Sequence, residues 1–251
     1  MNDTPTENNF SKYGIYTVTD FIELTLPNTK IRIERIGDKA FSYTRKNSED
    51  VISEKIIPSK SNEIEVELAP ISPLNHPARR TDYLFLKFDK DIFLSEESAA
   101  SVFVHCPIEI GLFLIHNSQR DSLDWITCDP AHSRFGLYGS PDNGTLCKYA
   151  NVSMAKDMDD SISYINGVMK VVLENKLNTG QSVSKVIFPI TDNSIYYSDS
   201  KAIIDGIKVT LKKRAVVSIA DVKVDPISTN WKKSPTWEIT SAASSMEMGL
   251  E

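Results

Sequence analysis

From Tyr13 onward, apolar positions recur every second residue rather than every third or fourth. Ile15, Thr17 and Thr19 alternate with Tyr16, Val18 and Asp20. Phe21 to Leu26 follows and ends at Pro27-Asn28. Ile31, Ile33 and Arg35 then alternate with Arg32, Glu34 and Ile36 up to Gly37-Asp38, and residues 40–44 close a meander. Period-two alternation between turn residues is the signature of half-buried antiparallel strands. Within Glu63 to Leu68, the pattern puts the glutamates in water and Ile64, Val66 and Leu68 in the core.

The middle of the chain keeps this rhythm. Prolines in residues 69–82 predict an extended, ordered connector, since each removes a donor and biases its predecessor away from helix. Tyr83 to Phe88 and Ile92 to Leu94 read as two strands around a turn at Asp89-Lys90-Asp91. The run Val102 to Ile115 is split by Pro107, which predicts a bend or an edge. Arg134 to Tyr149 reads as a hairpin turning at Ser140-Pro-Asp-Asn-Gly144, where proline, Asp, Asn and a glycine with positive φ suit the reversal. Ser153 to Ser163 is the best candidate for a helical turn. Residues 168–175 and 183–188 are expected to pair around Asn178-Thr179-Gly180, and two further strands are expected in Ile203 to Ile219. Residues from 86 and from 188 share a plan: an aromatic short strand and a Ser-acid turn before two alternating strands. A duplication or convergent β patterning explains the likeness.

The expected fold is therefore all-β, an antiparallel β-sandwich architecture of two packed sandwich-like units with very little helix. The expected organisation is a leader at 1–12, an N-terminal meander at 13–68, a first unit at 69–152, a second at 153–240, and a tail at 241–251. Composition narrows the rest. A net charge of -6 argues against a general nucleic-acid binder, which needs clustered basic excess. No apolar run approaches the roughly 20 residues that span a bilayer. The polar start lacks the form of a signal peptide, and the three cysteines are an odd, widely spaced set, so a cytoplasmic protein with reduced thiols is expected.

The familiar catalytic loops are missing: the chain has no Gly-x-Ser-x-Gly, Walker, His-Glu-x-x-His or Cys-x-x-Cys motif. Cys128, His132 and Cys147, with His105 or Cys106, have the chemistry of a zinc site but not its close ligand pairs, and buried packing is the commoner explanation. A Cys147-His132-Asp129 nucleophilic set needs a base beside the thiol. Asp157, Asp159 and Asp160 lack the spacing of a calcium loop, so a solvated acidic turn is expected. Polar residues gather in two places: His76, Arg79, Arg80 and Asp82 in the connector, and Asp129, His132, Arg134, Tyr138 and Lys148 around the hairpin. If the two meet, Arg79, Arg80, Arg134 and Lys148 make a small anion-binding patch; otherwise they are surface ion pairs. Alternation sends Cys147 and Lys148 to opposite faces.

The hairpin Phe135 to Tyr149, together with Cys106-Pro-Ile-Glu-Ile-Gly-Leu-Phe-Leu114 and Ser184-Lys-Val-Ile-Phe-Pro189, resembles the core of a family of uncharacterised, mostly archaeal proteins with a domain of unknown function. The resemblance spans Tyr13 to about Val224. It implies a cytosolic, prokaryotic, β-rich protein and supplies no activity, cofactor or catalytic residue. The expectation is a non-enzymatic binding or protein-interaction module with Arg79, Arg80, Asp129, His132, Arg134, Tyr138 and Lys148 as candidate binding residues. No cofactor or metal is assigned, and a protein partner is left open. The alternative is a hydrolase or metal-dependent enzyme built around residues 128–149.

Overall fold

The structure, a computed structural model, describes residues 10–47, 50–75, 80–128, 134–214 and 217–237. In chain order the first strands are β1 (Gly14–Val18), β2 (Phe21–Leu26), β3 (Thr29–Gly37), β4 (Ala40–Asn47), β5 (Asp50–Pro58) and β6 (Ile64–Ile71). Then come β7 (Tyr83–Leu94), β8 (Ala99–Pro107), β9 (Glu109–His116), β10 (Gln119–Ile126), β11 (Arg134–Tyr138), β12 (Thr145–Val152) and β13 (Met154–Ala155). The last are β14 (Asn166–Asn175), β15 (Gln181–Pro189), β16 (Ile195–Ser198), β17 (Lys201–Arg214), β18 (Val217–Asp225) and β19 (Lys232–Lys233). Among the described residues the only helical segment is a 3-10 turn at Ile190–Asp192. The all-β sandwich expectation holds.

The strands form four sheets around two cores. Sheets β1-β6-β9-β10 and β2-β3-β4-β5 enclose Leu24, Ile31, Ile33, Phe41, Val66, Leu68, Ile110 and Leu112. The hairpin sheet, β11-β12-β7-β15, and a seven-stranded sheet, β13-β8-β14-β17-β16-β19 with β18 beside β17, enclose Leu84, Leu86, Val104, Ala150, Met169, Val171, Val186 and Ile204. Two pairings, β7 with β12 and β14 with β17, are parallel. Chain order and core membership do not coincide: β7 and β8 belong to the second core, whereas β9 and β10 return to the first. The crossing falls at Pro107, which has no N–H to continue a ladder. Ile108 then donates its N–H to the carbonyl of Ile165 at 3.0 Å.

Several local expectations are corrected. Asp89-Lys90-Asp91 is not a turn but part of continuous β7; the register against β15 jumps there, so the polar triplet bulges out of an unbroken strand. Residues 168–175 and 183–188 do not pair. β14 and β15 lie in opposite sheets, and the chain crosses between them around buried Asn175. Its amide donates to the carbonyls of Ser95 and Thr179 at 2.8 and 2.9 Å and accepts from Leu177 N–H at 3.1 Å. Residues 153–163 form a two-residue strand and turns rather than a helical turn, as expected of a segment whose Asp side chains bond their own backbone. The two similar segments also diverge: β8 and β9 part to different cores, while β17 and β18 form one hairpin.

Buried carboxylates tie the layers together. Glu67, expected in water, is fully buried under β16 and β19. It accepts from Tyr197 Oη and Arg120 Nε at 2.5 Å each and pairs with Lys232 Nζ at 2.8 Å. Burial would raise its pKa, but the bonds from Lys232, Tyr197 and Arg120 hold it below the usual carboxylate range. Asp124 accepts from Tyr43 Oη and pairs with Arg45 Nε at 2.8 Å, linking β10 to β4. Burial and the Asp124 charge push the Tyr43 hydroxyl well above its ordinary pKa. Asp205 sits where β16 gives way to β18 along β17. It takes the N–H of Ser194 and of Ile227, both at 2.9 Å.

Candidate functional site

The hairpin is built as its sequence requires, with one change of role. The positive φ belongs to Gly139, at 109°, and not to Gly144. Gly144 is needed for space instead, since a Cβ there would lie 2.6 Å from the carbonyl of Ser140. β11 and β12 pair from Arg134↔Tyr149 to Tyr138↔Thr145, and β7 lies along the far side of β12. Alternation then sorts the side chains. Arg134, Tyr138, Cys147 and Tyr149 take one face, with Tyr83, Phe85 and Lys185 beside them. Lys148 takes the other, with Leu84 and Ala150.

The outer face is aromatic and basic. Phe85 meets Tyr149 edge-on at 5.1 Å between ring centroids and Tyr138 at 6.5 Å. Lys185 Nζ stands 5.8 Å from the Phe85 centroid and 6.0 Å from that of Tyr138, within cation–π range. Tyr83 and Tyr138 are 39% and 49% exposed, so this aromatic surface is open to solvent. A cleft of about 420 Å³ begins here, with Tyr83, Tyr138, Thr145 and Lys185 on one side and Leu211 and Val222 on the other.

Connector and hairpin do meet. Thr81 Oγ1 donates to the carbonyl of Leu146 at 2.6 Å, which places exposed Arg80 beside β12. Of the anion patch expected from sequence, Arg80 and Arg134 are on the surface, and Lys148 is withdrawn from it. Lys148 is only 4% exposed; burial lowers its pKa and the neighbouring charge of buried Glu109 raises it. Glu109 also accepts the N–H of Asn75 at 3.1 Å, so Lys148 belongs to an internal charge network. His76, Arg79, Asp129 and His132 lie outside the described residues.

The thiols do not converge. Cys106 packs in the second core and Cys128 in the first, and Cys147 donates to the carbonyl of Thr145 at 3.4 Å. Burial pushes the Cys106 and Cys147 thiols upward, the opposite of what a nucleophile needs. Among the described residues no group of three or more His, Cys, Asp or Glu could hold a metal ion. In the acidic turn, Asp157 accepts the N–H of Asp159 and Asp160 that of Lys156, both at 2.9 Å, so these carboxylates brace their own loop.

A second cleft, of about 360 Å³, opens where the connector, the 3-10 turn and the C-terminal segment meet. Ser72, Asn75, Asp192, Asn193, Lys233 and Trp237 line it. Trp237 packs edge-on against Phe113 at 5.5 Å, and Ser234 Oγ donates to the carbonyl of Pro70 at 2.5 Å. Local sequence gave no sign of this meeting, because its three walls come from distant segments. Phe85, Tyr149 and Lys185 were missed for a related reason: their outward faces follow from alternation, but their adjacency needs the parallel β7–β12 pairing.

These features define an all-β protein of two face-packed sandwiches with an aromatic, basic outer face. The chain belongs to the family described as "Protein of unknown function (DUF432)", whose model matches residues 12–248. Neither the curated proteins nor the solved structures contain a match to it. Among the described residues, no helix is long and apolar enough to cross a membrane.

Proposed function

We propose that this chain is a binding or protein-interaction module, and that its recognition surface is the outer face of the hairpin sheet. The observation that carries this is Lys185, set over Phe85 and exposed Tyr138 and making no salt bridge among the described residues. A cation without a carboxylate, beside open rings and a cleft, suits a partner that brings an acidic group next to a flat or apolar one. Arg80 and Arg134 add positive charge on the same flank. An enzyme centred on residues 128–149 has weaker support, since Cys147 is buried and Cys128 sits in the other core.

The test is a titration of the isotope-labelled full chain with phenyl phosphate, a minimal ring-bearing anion. Saturable shifts confined to Tyr83, Phe85, Tyr138, Thr145 and Lys185 are expected, and Lys185→Glu should abolish them. Shifts centred elsewhere, or none at millimolar probe, would reject this face as the recognition surface.

A further inference from the structure

Away from the hairpin face, β8 carries a histidine whose two ring nitrogens are both engaged. His105 Nε2 lies 2.6 Å from the carbonyl oxygen of Asp160 and 3.6 Å from its carboxylate, and Nδ1 lies 2.9 Å from Ser153 Oγ. A carbonyl oxygen can only accept, so Nε2 carries the proton. In the neutral ring Nδ1 then holds the lone pair, and the Ser153 hydroxyl donates to it. This is the arrangement in which a neutral imidazole draws the proton from a serine.

The surroundings fit that use. Ser153 is exposed at the junction of β12 and β13, and the His105 ring is largely buried, its side chain 12% exposed. Their backbones are locked together, His105 N–H donating to the carbonyl of Ser153 at 3.0 Å. β13 and β14 flank β8 on either side, so the base stands on sheet rather than on loop. The Asp160 carboxylate accepts the N–H of Lys156, and that bond, helped by the charges of Lys156 and Lys201, holds its pKa low. It is therefore ionised where an imidazolium would form. A shallow cleft of about 260 Å³ exposes His105 and Ser153 alongside Asp89, Asn151 and Asn166. The two asparagines bring amide N–H groups of the kind that hold an oxyanion.

We propose that Ser153 is the nucleophile, His105 the general base and Asp160 a positioning residue of an acyl-transfer site acting on small neutral esters. The Ser153 proton passes to Nδ1 as Oγ bonds the ester carbon, and the carbonyl electron pair moves to its oxygen. Collapse breaks the bond to the leaving alcohol, which takes the proton from Nδ1. Water then repeats the sequence, releasing the carboxylic acid and restoring Ser153. Cleft size limits the acyl group to a few carbons, and Asp89 on the rim repels carboxylate-bearing substrates.

The experiment is covalent labelling of the full chain with a neutral alkyl fluorophosphonate, which loses fluoride as Oγ bonds phosphorus. A single adduct on Ser153, read by peptide mass, is expected. Ser153→Ala should lose it while keeping the wild-type unfolding transition, and His105→Gln should slow it about 100-fold, the usual scale of general-base catalysis. Asp160→Asn should slow labelling while leaving the unfolding transition in place, and Asp160→Glu should restore part of the rate. No adduct, an adduct that survives Ser153→Ala, or a rate untouched by His105→Gln would each leave the trio as a loop brace and overturn the proposal.

Discussion

Replacing Glu67 by glutamine isolates the contact that joins the two sandwiches. Tyr197 Oη and Lys232 Nζ share Oε1, so an amide that keeps its oxygen there turns its NH₂ toward Arg120 Nε: the Arg120 bond is lost and the Lys232 contact loses its negative partner. Hydrogen bonds to charged groups are worth about 1.5–3 kcal/mol each. Arg120 and Lys232 keep 35% and 42% of their side-chain surface exposed and recover water once unpaired, so the low end applies. The expected cost is about 2–4 kcal/mol, against about 0–1 for a solvent-exposed pair. Urea unfolding at neutral pH, with the slope against denaturant unchanged, measures it. The pH dependence gives a second readout. Glu67 has a folded-state pKa below its unfolded value, so its contribution is fully present above the unfolded value and fades as pH falls through the folded one. The gap between wild type and Glu67→Gln should therefore narrow on acidification below about pH 4. A loss under about 1 kcal/mol, or a gap that does not narrow in acid, would show that the cluster is not a clamp.

Other consequences are quickly checked. The three thiols should react with a disulfide reagent far more slowly in the native protein than in denaturant, because all three are buried; rapid native titration of any one would contradict the packing. Gly206→Ala places a Cβ 2.7 Å from the carbonyl of Lys170 and should cost about 1–3 kcal/mol in chemical unfolding, whereas an unchanged midpoint would mean β14 yields freely. Lys148→Met removes the buried cation whose charge Glu109 feels and should cost about 1–3 kcal/mol, part of it restored by adding Glu109→Gln. A double variant no more stable than the single one would deny that the two charges are coupled.

Strand identity was legible wherever burial is one-sided. The meander and the hairpin follow from alternation and turn chemistry alone, because one face of each strand meets water. Pairing was not legible. β14 and β15 are close in sequence and look like a hairpin, yet Asn175 carries the chain across the sandwich instead. Glu67 shows the same limit: alternation marks which residues share a face but not what later segment covers that face, and its cover arrives with Tyr197 and Lys232. In the candidate site, Tyr138 and Arg134 were found by their place on the hairpin. Lys148 was misplaced because a lysine on a strand is normally assigned to solvent. The pairing of Ser153 with His105 left no local signal, since strand register and not spacing brings them together.

The interleaving of strands bears on how the molecule holds together. Residues 10–75 supply β1 and β6 of the first core, but the sheet they belong to is completed by β9 and β10. Without those strands, Val66 and Leu68 lose Leu112 and Leu114 beside them, and one edge of β6 is bare. The second core is likewise opened if β7 and β8 are detached from β14 and β15. Glu67 and Glu109 then add buried charges on the first core's side whose partners, Tyr197, Lys232 and Lys148, lie in the sheets of the second. Opening the cores separately would take Tyr197 and Lys232 from Glu67 and the Lys148 charge from Glu109, so each of these contacts opposes separate opening. The two sandwiches therefore unfold as one cooperative unit. Fluorescence of Trp125 and Trp237 at the first core, read in a Trp231→Phe background, and far-ultraviolet circular dichroism, which reports all the sheets, should give coincident transitions. Two separated midpoints would show that the crossings at Pro107 and around Glu67 do not couple the cores.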